Sequence, residues 1–371
     1  MVTVIKKIEM ALNIELQKIY IERFTEEMRF SHGKPVAAFT IYKRLLRQKY
    51  IEAESTTAFD GLIHFFSSAI KVKEDSKHMA YWLSNASTLL FLIQISLKRD
   101  GTNSVQKRRP PTLPLGNIAW EFGPSLYSVD HAEAEVAVME LGSILTSCIE
   151  EMSTGMLKSS SYWQDIINLL DTFLNIFKEN WVPVIIAQKI FTKIFSYINV
   201  ELFNSLLDYR KCCTIDNGRK LIDGFLVFEM WCRKATKEYA GTALNELQHI
   251  YQGAQFLIIA EEQTVSYTQI RTICPILRTP QLNQLCTHES YKDRKDLSDG
   301  FKEAHTRFKI EIKEQSLPEG IKFLLLQENF SIHFSSDDIL NSLQLEDFKN
   351  VKPDHVQLSK YRAFDYLYNQ R

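Results

Sequence analysis

Along most of the chain, apolar residues recur at intervals of three and four rather than two, and glycine and proline are sparse between them. That pattern predicts an all-α protein. The stretch "SYWQDIINLLDTFLNIF" puts Trp163, Ile166, Ile167, Leu170, Phe173, Leu174 and Phe177 on one stripe. "VPVIIAQKIFTKIFSYI" does the same with Ile186, Ile190, Phe191, Ile194 and Phe195, and Pro183 suits its first turn. Joined by "KENW", the two should pair as an antiparallel hairpin. Further helices are predicted over 5–30, 35–50, 56–72, 79–98, 133–151, 200–208, 219–236, 242–261 and 266–273.

One segment tests the difference between a membrane span and a core helix. "MAYWLSNASTLLFLIQISL", 79–97, carries no formal charge, but Ser84, Asn85, Ser87, Thr88, Gln94 and Ser96 dilute it. A helix buried on all sides is the expectation, with no transmembrane segment. The stretch from Lys98 to Glu133 is rich in Pro, Gly and Ser and reads as a long exposed loop, about 99–132. After a charge-dense stretch that should present a solvated helix face, "LPEGIKFLLLQENFSIHFSSDDILNSLQLEDF" alternates apolar runs with turn residues. It reads as an extended tail on a preformed surface, ending in a short helix near 336–343.

Composition adds limits. Lys+Arg is 44 against Asp+Glu 45, so no basic field marks the chain for nucleic acid. The six cysteines show no paired C-x-x-C spacing, which points to reduced, mostly buried thiols in a cytosolic protein. "MVTVIKKIEMALNIELQK" has charges where a signal peptide needs an apolar run. Phosphate-cradling glycine loops, H-E-x-x-H and G-x-S-x-G are absent, so no catalytic residue and no cofactor are expected.

Two constellations remain. Glu246 and His249 have the Glu-x-x-His spacing of di-metal bundles, but those sites need a second copy and two further glutamates projecting inward. No second copy exists in the chain, so no metal is expected. On a helix over 242–261 the buried arc would be Leu244, Leu247, Ile250, Tyr251, Ala254, Leu257 and Ile258. The opposite face would then carry Asn245, His249, Gln252 and Phe256, an exposed aromatic among polar groups and so a candidate partner contact. The second constellation, "RRPPTLP", spaces Arg108, Pro111 and Pro114 as a polyproline ligand does. With Lys107 and Arg109 it could instead meet anionic lipid headgroups.

Several stretches resemble the globular tail, or dilute domain, of class V and plant class XI myosins. The central one is "VPVIIAQKIFTKIFSYINVELFNSLLDYRKCCTIDNG", with "KPVAAFTIYKRLL", "AYWLSNASTLLFLIQ", "KEYAGTALNELQHIYQGAQFLI" and "CPIL" in the expected order. The resemblance runs from about Glu22 to about Leu345; 101–160, the residues around Trp231 and the segment after Cys286 depart from it. It implies an elongated, two-lobed helical bundle, 1–180 and 181–371, whose extended C-terminal tail packs back on the first lobe. It also implies a cytoplasmic, non-enzymatic cargo-binding module, peripheral on vesicles or organelles. The partners implied are vesicle or organelle receptor proteins, Rab-type GTPases or a myosin motor region. No motor, IQ motif or sustained heptad lies in these residues, so a headless competitor of full-length myosin is one alternative. A peripheral membrane or scaffold protein acting without a motor is the other.

Overall fold

The computed structural model describes residues 28–48, 75–103, 139–154, 162–260, 265–288, 298–314, 324–327 and 336–348, with the single positions Leu62, Phe65, Phe66 and Ala69. In chain order these form a hairpin (β1, Phe30–Ser31; β2, Lys34–Pro35), α1 (Val36–Arg47), α2 (Ser76–Asn103), α3 (139–154), α4 (Tyr162–Glu179) and α5 (Val184–Asp208). There follow α6 (Ile215–Ala240), a 3₁₀ turn (Ala243–Leu247), α7 (Gln248–Ile259), α8 (Tyr267–Ile273), α9 (Thr279–Thr287), α10 (Asp299–Glu314) and α11 (Ser336–Ser342). The fold is all-α apart from that two-stranded hairpin among the described residues.

Contacts divide the chain into two units. One holds Met1–Val136, Asn175–Ala187 and Ser331–Arg371; the other holds Ala137–Leu174 and Gln188–Phe330. This differs from a single cut at 180, because α4 and α5 are long enough to contribute residues to both units and the chain's end groups with its beginning.

In the first unit α2 is the central element. Trp82 is fully buried, with Phe65, Phe66 and Tyr81 packed edge-on at centroid distances of 5.1 to 5.5 Å. Several of the polar residues that dilute this helix find hydrogen-bond partners. Ser87 donates to Leu83 O (2.8 Å), and Ser96 pairs with Tyr42 (2.5 Å). Asn85 donates to Tyr81 O (2.9 Å) and accepts from the backbone N–H of Ala38 (3.0 Å). That last bond caps α1 from outside, since its own N-cap, Pro35, has no side chain to do so. The predicted loop starts too early: α2 continues to Asn103. The described residues include no helix long and apolar enough to cross a membrane. α11 packs on α2, and beyond it Phe348 stacks on Phe39 (6.0 Å) and meets Phe91 (5.7 Å). The C-terminal segment therefore returns to the first unit and becomes part of its core.

In the second unit the predicted α4 stripe is buried at Ile166, Leu170 and Phe173. Trp231 of α6 packs against Phe191 (5.0 Å) and Phe195 (5.8 Å) of α5 and donates its indole N–H to Asp171 of α4 (3.0 Å). The segments predicted as 182–198 and 200–208 are one continuous helix, α5, since nothing between them breaks it. Asn199, in its middle, turns its side chain to α7 and accepts from Ile250 N–H (2.9 Å). The helix predicted over 219–236 starts earlier, so that Asn217 and Gly218 lie in the first turn of α6, which Thr214 caps. A Cβ on Gly218 would sit 3.0 Å from the Ala254 carbonyl, so glycine permits the close approach of α6 and α7.

The extended tail is seen in part. At 324–327 its backbone is held by side-chain amides: Asn204 both donates to Leu326 O (3.0 Å) and accepts from Leu326 N–H (2.8 Å), and Gln281 donates to Leu324 O (3.0 Å).

Asn199→Ala should cost about 1–3 kcal/mol, because the Ile250 N–H stays buried without its acceptor. Urea unfolding followed by tryptophan fluorescence measures it.

Candidate docking surface

The predicted docking face has to be redrawn. The helix expected over 242–261 begins as a 3₁₀ turn, Ala243–Leu247, and becomes α-helical only at Gln248. Asn245 is exposed on that turn. His249 is half-buried against the Phe203 ring (5.5 Å), and burial first, then Arg278, lowers its pKa. Gln252 is buried, its Oε1 accepting from Ile276 N–H (2.9 Å). Phe256 has no exposed surface and faces Phe301 of α10 (6.0 Å). The physical reason is that α7 packs on both sides, with α6 on one arc and α8 and the 274–276 segment on another. Gln252 and Phe256 are therefore interior residues and offer nothing to a partner in this conformation.

Glu246 is half-buried on the 3₁₀ turn, with a pKa raised by burial against an opposing pull from Lys193. No group of three or more His, Cys, Asp or Glu able to hold a metal occurs among the described residues. Cys148 and Cys274 are buried and their pKa values are pushed up to about 12 by burial, so these thiols stay protonated. Arg108, Arg109, Pro111 and Pro114 lie outside the described residues.

The face that is open belongs to α6. Its inner side carries Leu221, Phe228 and Trp231. Turning outward, Ile222 and Phe225 are half-buried, while Leu226 is 50% and Met230 69% exposed. Leu226 and Met230 are four apart and so lie one above the other, continuing Ile222. Phe225 leans on Tyr251 of α7 (4.4 Å between centroids), and both rings border a small apolar depression with Trp163, Leu221 and Phe228. Polar groups edge the stripe: Arg233 pairs with Glu229 (2.7 Å), and Asp223 is exposed. Apolar anchors with a polar rim are what a short amphipathic helix or peptide needs in order to dock. The sequence signal was "IDGFLVFEMWC", where apolar residues continue round the helix beyond the width of a buried stripe.

This all-α bundle, whose two units share long helices and whose C-terminal segment returns to the first unit, resembles solved myosin globular tails. It superposes on the yeast myosin 5 cargo binding domain with a TM-score of 0.64, at 14% identity, over 90% of this chain and 86% of that one. Myo2-GTD in complex with Inp2 gives 0.61 at 16% identity, over 96% and 95%. At such identities the likeness concerns the fold. Sequence goes further: residues 189–293 match the DIL domain family. Myosin-6 of Arabidopsis thaliana is 36% identical over 94% of this chain, and Myosin-8 of the same plant 37% over 90%. The chain belongs to the globular-tail, or dilute-domain, family of class V and plant class XI myosins. It spans about a quarter of the length of these relatives.

Proposed function

We propose that this chain is a cargo-docking tail module of an actin-based myosin, binding receptor proteins on vesicles or organelles from the cytoplasm. The observation that carries the reading is family membership, with the matched DIL region containing the open apolar stripe of α6. Solved relatives are complexes with Mmr1, Inp2 and Smy1, which supports a protein receptor as the partner. Rab-type GTPases and the myosin's own motor region are further partner classes for the same module. Its work is binding, with no reaction of its own. Leu226 and Met230 would supply the desolvated anchors, and Glu229, Arg233 and Asp223 the rim that sets orientation.

The test uses the 371-residue chain and plant microsomes. Leu226→Glu with Met230→Glu places charges where a partner must exclude water, and recovery of the chain on microsomes should fall at least about tenfold. The thermal midpoint should not move, because both side chains are largely exposed. Unchanged recovery removes α6 as the docking face. Failure of the unsubstituted chain to bind microsomal protein removes the cargo reading itself.

A further inference from the structure

Within the first unit, residues 336–348 lie on α1 and α2 in the manner of a bound peptide. α11 packs on α2, and a 3₁₀ turn, Leu345–Phe348, closes the segment. Ile339 and Phe348 are buried, whereas the other side chains described in this segment are half-buried or exposed. Two apolar anchors in a mostly solvated segment are the pattern of a peptide docked in a groove. The seat of the second anchor is aromatic and cationic. The Phe348 ring lies between Phe39 of α1 and Phe91 of α2, and Lys34 Nζ stands 5.0 Å from its centre.

Formal charge divides sharply between seat and segment. α1 carries Lys43, Arg44 and Arg47 and no acidic residue, and Lys34 precedes it. Residues 336–348 carry Asp337, Asp338, Glu346 and Asp347 and no basic residue. Phe39, Lys43 and Arg47 are spaced four apart and so share one face of α1, the face that meets Phe348. Lys43 Nζ is 6.0 Å from the Phe39 ring. Positive charge alone on the helix and negative charge alone on the segment are the complementarity of a steered interface.

We propose that this seat is a docking surface for an acidic segment of a partner protein, and that the chain's own residues 336–348 fill it until such a segment replaces them. The partner it fits has an aliphatic anchor for the Ile339 position and, beyond it, an aromatic one for the Phe348 position. Replacement is favoured over a vacant seat, because removing Phe348 without a substitute would uncover the apolar faces of Phe39 and Phe91. With few buried anchors, the segment belongs to the low-stability end of its unit, where local opening precedes global unfolding. The site is independent of the α6 face and stands or falls separately from it.

The test uses the full chain and a synthetic peptide of residues 336–348, isotope-labelled so that mass distinguishes it from the chain's own copy. In hydrogen exchange on the unsubstituted chain, excess peptide should speed exchange at 337–348 several-fold and leave α2 unchanged. The same peptide with Phe348→Ser should have no effect. With a fluorescein label, the parent peptide should bind the Phe348→Ser chain about tenfold more tightly than the wild type, since the cis segment no longer competes as well. Adding Lys34→Glu to that chain, or raising salt, should weaken binding several-fold. Leu226→Glu should leave binding unchanged. Unchanged exchange at 337–348 in the wild type with excess peptide, or equal effects of the parent and Phe348→Ser peptides, overturns the proposal, and both readings hold whether or not the Phe348→Ser chain folds.

Discussion

Gly300→Ala should unfold the second unit at markedly lower temperature, although alanine is by itself the better helix former. Gly300 lies in the first turn of α10, and a Cβ there would collide with the carbonyl oxygen of Val265. The obstacle is backbone, so no side-chain rotation relieves it. α10 would have to move away from the 265–266 segment, and the packing of Phe301 on Phe256 and of Phe308 on Tyr267 (5.3 Å) would loosen with it. The propensity gain of about 1 kcal/mol is outweighed by an overpacking cost of about 3 kcal/mol or more. The net loss lowers the midpoint by several degrees. Trp163 and Trp231 report on this unit, so fluorescence melting shows the effect. Gly142→Ala is the control. Its Cβ would meet only the Tyr197 hydroxyl, at 3.2 Å, and the end of a side chain can yield. That variant should be neutral or slightly more stable. Equal destabilisation by both would show that the space around Gly300 is not what matters.

Stability should also fall steeply on acidification between about pH 6.5 and pH 4, and His288 should account for much of the slope. The ring is buried at the end of α9. Burial first, and then the charge of Arg210, push its pKa down from 6.5 to about 4, against an opposing pull from the Leu206 carbonyl. That carbonyl already accepts from Cys213 Sγ (2.9 Å). Above pH 6.5 the ring is neutral in both folded and unfolded chains. Below that, the unfolded chain takes up a proton that the folded one refuses, so stability is lost as pH falls toward 4. The full effect is on the order of 3 kcal/mol. His249 is shifted in the same direction and adds to the loss. Glu246 and Asp208 have raised values and work against it, because the folded chain binds their protons more readily. Urea midpoints of wild type and His288→Gln across this range decide the matter. The variant should lose less stability between pH 7 and pH 4.5 than wild type. Parallel curves would assign the slope to other groups.

The helices were legible because their evidence is local. The stripe of α4 follows from a period of 3.6 residues, and the start of α8 follows from Ser266 and Gln269, which form a capping box. The buried status of "AYWLSNASTLLFLIQ" was also readable, since its length and polar content fit a core helix better than a membrane span. The short helix near the C-terminus and its place in a tail came from turn residues and an apolar alternation.

What escaped the sequence depends on a neighbour. α1 starts at a proline and α7 at Leu247, and neither residue can cap a helix; the acceptors come from Asn85 and Asn199 on other helices. No pattern within α1 or α7 announces those partners, so the break between the 3₁₀ turn and α7 read as one helix. Phe256 was misplaced for a related reason. Periodicity shows which arc of a helix is apolar enough to be buried, but a second layer can cover the other arc, as α8 and α10 do here. The sequence by itself determined the all-α class, the positions of most helices and the family. Only the tertiary structure decided which faces remain open, because exposure is a property of what packs against a residue and not of the residue.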